Sequence, residues 1–282
     1  MKNMSRIIQT FWTKPMTDLY QSMRLAYASA KSIKAQGYNL AVYTDSKGAE
    51  LLKGFPYDEI IVLDELENLN PSLFCTVKYL ALETEPIGNI HVDFDVIIDK
   101  PVFEWEADKD VITQCYEGKV KYSKEQKYLS SFLAEKDLSI FDTDFVKNKV
   151  FRPYCCGVIG FNNETLKESF IGAYKEILYC FDNVKVPNGL TIDYIVEQAY
   201  ISHLVSDNSY IPQFIDTCNI EACKHYQILD GCAYYKTKGY VHYHGKSKYT
   251  REAQTSINEL LTKEDKKIIN HNFCVKEETR NE

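Results

Sequence analysis

The segment His91-Val92-Asp93-Phe94-Asp95-Val96-Ile97-Ile98-Asp99 holds the sharpest chemical feature of the sequence. An apolar run carrying two carboxylates one residue apart is costly unless the charges meet water or a cation. Where such a strand ends and the backbone turns, Asp93 and Asp95 can converge on one hard divalent ion and leave its other positions to phosphate oxygens. Asp-x-Asp is a common pattern, and a solvated strand end with capping aspartates is the plainer reading of the same residues. Cys218, Cys223 and Cys232 with His225 could in principle ligate Zn²⁺. Their spacing lacks the close Cys pairs of structural zinc sites and favours ordinary buried or loop thiols.

The two carboxylates need elements to position them. Residues 6–12 read as a strand, and Pro15 with Asp18 introduces a helix carrying Leu19, Met23, Ala26, Ala30 and Ile33 on one face until Gly37 stops it. A second strand is predicted over 40–44, a short helix over 49–53 and a third strand over 60–63. A helix over 72–83, ended by Pro86 and Gly88, then leads into a strand over 89–93 that delivers Asp93 and Asp95. Alternation of this kind predicts the α/β class: a mostly parallel sheet with right-handed crossovers, covered by helices on both faces. Ligand chemistry belongs at the carboxyl ends of its strands. The second half is less regular. It predicts strands over 111–115, 158–161 and 239–244, helices over 164–180, 191–203 and 251–267, a polar Lys- and Tyr-rich stretch over 117–149 beside the sheet, and a mobile polar tail after Asn270. Without repeats or a Gly/Ser linker, a single domain over 1–269 is expected, with 270–282 as the tail.

The 282 residues are 45% apolar and 26% charged, which is ordinary globular usage with material for a real core. Lys and Arg number 33 against 40 Asp and Glu, a net charge of −7. That balance offers no general attraction for nucleic acid or anionic membrane, so an anionic ligand must be held by a local positive site. No stretch approaches the roughly 20 apolar residues of a membrane span. The first residues run directly into a strand-like segment, and a cytoplasmic protein without a signal peptide is expected. The nine Cys, odd in number and scattered, suggest free thiols in a reducing compartment. Tyr dominates the aromatics with 21 residues; Tyr-rich surfaces contact sugars or bases, although structural Tyr is commoner.

With a βαβαβ opening followed by Asp-x-Asp, the chain resembles the GT-A fold glycosyltransferases, whose motif holds Mn²⁺ or Mg²⁺ against the diphosphate of a nucleotide-sugar. His242-Tyr243-His244-Gly245-Lys246-Ser247-Lys248 resembles the His-x-x-Gly-x-x-Lys motif of the glycogenin and lipopolysaccharide-galactosyltransferase family. The resemblance implies that His242 joins Asp93 and Asp95 as metal ligand, that Gly245 lets the backbone approach the phosphates, and that Lys248 grips the diphosphate. The family continues with Pro-Trp where this chain has Tyr249-Thr250, and His244 is a competing ligand. An exposed His- and Lys-rich loop is the bland alternative.

Other segments are similar to the same group. Thr76-Val77-Lys78-Tyr79 resembles its Lys-bearing helix, which implies a nucleotide-sugar contact for Lys78, against the plain alternative of an exposed helical Lys. Tyr154-Cys155-Cys156-Gly157-Val158 resembles a turn lining the sugar pocket, with Cys155 where the family has Asn. Glu197-Gln198-Ala199 resembles an Asp-Gln pair facing the transferred sugar; Asp193, four residues earlier on the same helical face, could take that part. Ile8-Gln9-Thr10-Phe11-Trp12 resembles the first strand of bacterial and fungal sugar transferases. This implies that Gln9, Thr10 and Phe11, with Tyr43 and Asp45 after the second strand, border the nucleoside; a core role is the alternative for Phe11 and Trp12.

What the resemblance implies is a metal-dependent hexosyltransferase, retaining in stereochemistry, that moves a sugar from a UDP-linked donor to a glycan or other acceptor in polysaccharide assembly. About 1–100 would form the nucleotide half and about 101–250 the acceptor and metal-completing half, with the Tyr116 to Tyr128 stretch on the acceptor side. A nucleotidyltransferase acting on sugar phosphates is the second enzymatic reading, weakened because Gln9-Thr10-Phe11-Trp12-Thr13-Lys14 lacks a Gly-rich loop. A non-catalytic carbohydrate-binding protein of the same fold is the third. Neither GxGxxG nor GxxxxGKS/T occurs, which removes dehydrogenase and P-loop readings.

Overall fold

The computed structural model describes residues 6–116, 127, 128, 131, 153–181, 192–215, 226–229, 232–237, 239–243 and 245–278. The chain divides into two units assembled from interleaved segments: Met1–Glu67, Ile90–Glu104 and His225–Glu282 in the first, Asn68–Asn89 and Trp105–Lys224 in the second.

In the first unit, β1 (Ile7–Phe11) is buried along its whole length, as expected of a parallel strand covered on both faces. Helix α1 (Leu19–Ala35) is capped by Asp18, whose carboxylate accepts from Gln21 N at 3.0 Å, and Gly37 at φ +84° leads out of it. Strand β2 (Leu40–Thr44), helix α2 (Ser46–Leu51), strand β3 (Glu59–Val62) and strand β4 (Ile90–Val92) complete a parallel array in the order β3-β2-β1-β4. Its register pairs Phe11 with Thr44 and Ile8 with His91. Asp93 therefore emerges at the carboxyl end of β4.

After Asp95 the chain enters β5 (Val96–Ile98), which belongs to a second, antiparallel sheet with β9 (Tyr226–Leu229), β10 (Cys232–Thr237) and β11 (Tyr240–His242), in the order β5-β11-β10-β9. Two serines of α1 fasten β5: Ser29 Oγ donates to Val96 O, and Ile98 N donates to Ser32 Oγ at 3.1 Å. The core of this unit gathers Phe11, Met23, Tyr27, Val42, Leu52 and Ile257.

The C-terminal segment departs from expectation. In place of one helix over 251–267 there are two, α7 (Arg251–Leu260) and α8 (Lys263–Glu278). A reciprocal cap makes the break: Thr262 N donates to Asp265 Oδ2 at 2.7 Å, and Asp265 N donates to Thr262 Oγ1 at 3.2 Å. From Asn270 to Glu278 the chain stays helical, and it is tied down at its start. Tyr20 Oη donates to Asn270 Oδ1 at 2.6 Å, Asn272 Nδ2 donates to Leu51 O at 2.9 Å and Lys53 O at 2.7 Å, and Phe273 packs edge-on against Tyr20.

In the second unit, β6 (Val111–Tyr116) pairs antiparallel with β7 (Tyr154–Phe161) and parallel with β8 (Pro212–Phe214), with an irregularity in register between Thr113 and Cys115. Helix α3 (Thr76–Thr84) begins four residues later than expected because Asn70 holds a turn first, accepting from Ser72 N at its side chain and from Leu73 N at its carbonyl, both at 3.0 Å. Helix α4 (Glu164–Phe181) follows β7. The helix expected over 191–203 runs as α5 (Ile192–Tyr194), a π-helical turn over Ile195–Tyr200 and α6 (Ile201–Asp207). The α/β class is as expected, with parallel pairing throughout the β3-β2-β1-β4 array. The stretch over 117–149, apart from 127, 128 and 131, lies outside the described residues.

Candidate functional site

The antiparallel pairing of β5 with β11 sets His242 opposite Val96, and Tyr243 N donates to Asp95 O at 3.0 Å. This pairing brings an imidazole from late in the chain against the carboxylates that follow β4. His242 Nε2 lies 3.2 Å from Asp95 Oδ1 and 3.8 Å from Asp93 Oδ2. Asp93, Asp95 and His242 offer three ligand atoms all within 4.8 Å of one another. Two carboxylates and a neutral imidazole are a donor set for a divalent cation of the Mn²⁺ or Mg²⁺ kind, His favouring the former. His242 and Asp95 are buried and Asp93 is partly open, so an ion here would have protein on one side and an approach on the other.

Lys248 Nζ donates to Asp95 Oδ2 at 2.8 Å and stands 5.0 Å from the centroid of the Phe94 ring. Burial pushes the Asp95 carboxyl up, but the Lys248 ammonium and then His242 outweigh it and hold the group well below the usual carboxylate range. Burial pulls Lys248 down while Asp95 more than compensates, so it remains a cation at neutral pH. The 3₁₀ turn Gly245–Tyr249 that presents it opens with Gly245 at φ +58°, a conformation L side chains rarely adopt, and nothing lies within 4 Å of where a Cβ would stand. Thr250 ends the turn as N-cap of α7, accepting from Ala253 N. The competing ligand His244 and the set Cys218, Cys223 and His225 lie outside the described residues, as does the side chain of Cys232.

The residues expected to border a nucleoside take varied places. Gln9 is fully buried; its Nε2 donates to Ser29 Oγ at 2.7 Å and its Oε1 accepts from Tyr57 Oη at 3.0 Å. Phe11 is core, edge-on to Phe94, and Tyr43 is buried. Asp45 caps α2, accepting from Gly48 N at 2.9 Å, and also accepts from Thr13 N and Thr13 Oγ1. Gly48 is required there, since a Cβ would stand 1.9 Å from Thr44 Oγ1. Thr10 Oγ1 is hydrogen-bonded to His91 Nε2 at 3.0 Å.

In the second unit, Lys78, Asp193 and Glu197 converge in a buried polar cluster. Lys78 is interior rather than exposed; its Nζ pairs with Glu197 Oε1 and donates to Cys156 O at 2.7 Å. Cys75, which the sequence did not single out, touches both acids: its N donates to Asp193 Oδ2 at 2.9 Å and its Sγ to Glu197 Oε2 at 3.3 Å. Cys156 Sγ donates to Glu197 O at 3.1 Å. Burial first, and Glu197 by like charge, push Asp193 up to about 7 against the hydrogen bond from Cys75 N. Spacing carried a signal for Cys75: it precedes Lys78 by three residues, as Asp193 precedes Glu197 by four, so each pair shares a helical face.

Residues 4–271 match the model of a protein family described as Family of unknown function (DUF6734). The chain belongs to that family. No curated protein matches it. Among solved structures it is similar to mouse xyloside xylosyltransferase 1 (11% identity, TM-score 0.42, covering 75% of this chain and 85% of that one). It is similar to the galactosyltransferase LgtC in complex with donor and acceptor sugar analogs (11%, 0.43, 93% and 99%). It is also similar to CTP:phosphocholine cytidylyltransferase from Streptococcus pneumoniae (10%, 0.41, 89% and 99%). No helix among the described residues is long and apolar enough to cross a membrane.

Proposed function

We propose that this protein is a metal-dependent glycosyltransferase that takes a sugar from a nucleotide-sugar, UDP-linked, and passes it to a hydroxyl of a glycan or other acceptor. The observation that carries the reading is the convergence of Asp93, Asp95 and His242 within 4.8 Å at the carboxyl end of a parallel strand, with the Lys248 ammonium against the same carboxylate. In a chain of net charge −7, such a place can receive a diphosphate only through a bound cation and a local Lys. Asp93, Asp95 and His242 would hold Mn²⁺ or Mg²⁺, which supplies Lewis-acid neutralisation of diphosphate charge.

The chain's own residues do the rest. Asp95 Oδ2 holds Lys248 Nζ beside the ligand set, and the ammonium offsets the charge that grows on the departing diphosphate as the glycosidic bond breaks. Gly245, open at its Cα, lets backbone approach the phosphates. Retention at the anomeric carbon is the outcome that the His-x-x-Gly-x-x-Lys resemblance implies.

Calorimetric titration of UDP and then GDP, with Mn²⁺ and with chelator, tests the reading. It predicts that one nucleotide binds with metal only, and that Asp95→Ala weakens binding at least tenfold, about 1.4 kcal/mol or more. Binding that ignores both metal and Asp95, or no binding at all, sinks it.

A further inference from the structure

His91 stands on β4 two residues before Asp93, and so faces the same side of the strand. It is completely buried between Ile90 and Val92, which are equally buried. An imidazole in that position costs free energy unless its nitrogens are engaged, and a strand interior needs only an apolar side chain there. Nε2 is hydrogen-bonded, and Nδ1 faces a carboxylate that lies beyond hydrogen-bond reach. Nε2 is 3.0 Å from Thr10 Oγ1, and Nδ1 is 3.7 Å from Asp93 Oδ1. The parallel register of Ile8 with His91 places Thr10 one pleat further along β1 on the matching face, so backbone pairing holds the arrangement.

Asp93 needs such help most. Its side chain is 30% exposed, against 3% for His242 and 7% for Asp95. Packing fixes the other two ligand side chains and leaves this one freer to turn.

We infer that Thr10 and His91 form a relay that orients Asp93 for the metal, an inference resting on the metal-centre reading above. The Thr10 hydroxyl donates to Nε2, which places the imidazole hydrogen on Nδ1. Nδ1–H then draws Asp93 Oδ1 to its side, and Oδ2 is left facing His242 Nε2 at 3.8 Å, where these side chains would hold an ion. His91 is thus a positioning residue. Nothing in the Asp-x-Asp pattern requires a His at this place.

The test measures Mn²⁺ affinity from the electron paramagnetic resonance signal of the free ion. It uses the full chain and the variants Thr10→Val, His91→Leu, His91→Asn and Asp95→Ala, with circular dichroism to confirm folding. Thr10→Val and His91→Leu are each expected to weaken Mn²⁺ about tenfold, the lower end of losses on removing a partner of a metal ligand. His91→Asn keeps a donor nitrogen near the place of Nδ1 and is expected to stay within about threefold of the full chain. If His91→Leu does not fold, Thr10→Val, which removes one hydroxyl, decides alone. Loss of Mn²⁺ in Asp95→Ala with unchanged affinity in Thr10→Val and His91→Leu overturns the relay and leaves the metal centre standing. An Asn variant as weak as the Leu variant reduces His91 to packing and also overturns it. If the full chain binds no Mn²⁺, the metal-centre reading fails and the relay with it.

Discussion

Asp193 shows how strongly surroundings can set a single charge. Its carboxyl is buried and lies near Glu197, and Oδ1 has no hydrogen-bond partner among the described residues. With its pKa raised from 3.8 to about 7, the folded chain holds a proton that the unfolded chain has released between those values. Stability from this group therefore rises as pH falls from about 7 towards 4, and is absent above pH 7. Asp193→Asn keeps an oxygen for Cys75 N and removes the titration. Urea unfolding at pH 5, 6, 7 and 8 should show the variant gaining on the parent as pH rises, whereas parallel profiles would contradict this account. At this scale the sequence was most legible for side chains in a dense motif: the structure brings Asp93, Asp95 and His242 together and sets Lys248 against Asp95. It was less legible where one residue type serves several ends. The resemblance implies a nucleoside contact for Asp45, and the structure shows its oxygens given to Gly48 and Thr13.

Caps decide the ends of the elements. The Thr262-to-Asp265 cap separates α7 from α8, and Asp265 also accepts from Tyr27 Oη at 2.9 Å and pairs with Lys31. Burial raises the Asp265 carboxyl, but Lys31 and Thr262 outweigh it and bring it down to about 2. Its stabilising contribution is full above pH 4 and is lost as pH falls through about 2. Thr262→Ala should cost about 1 kcal/mol, and Asp265→Asn more at pH 7, with the Asp265 deficit shrinking below pH 3; thermal melts of both variants at pH 7 and pH 2.5 check this. An Asp265 deficit unchanged at low pH would refute the assigned charge. This boundary was available in the sequence as Thr-x-x-Asp within the single helix expected over 251–267. Strand β11 falls within the strand expected over 239–244, whereas β5 was not legible: the three residues Val96–Ile98 carry no period, and their pairing with β11 is a long-range event.

At the scale of the molecule, the cluster of Asp93, Asp95 and His242 is a product of topology within the first unit. Asp95 and Lys248 are separated by 153 positions, and the antiparallel pairing of β5 with β11 closes that distance. The chain carries net charge −7, so an anionic ligand gains nothing from the field as a whole and needs a local positive group, the part proposed above for Lys248. The most direct measurement is anomalous diffraction from crystals grown with Mn²⁺ and UDP. The account predicts one manganese peak bounded by Asp93, Asp95 and His242, with the diphosphate between it and Lys248. A diphosphate bound elsewhere, or no manganese among these three side chains, would contradict it.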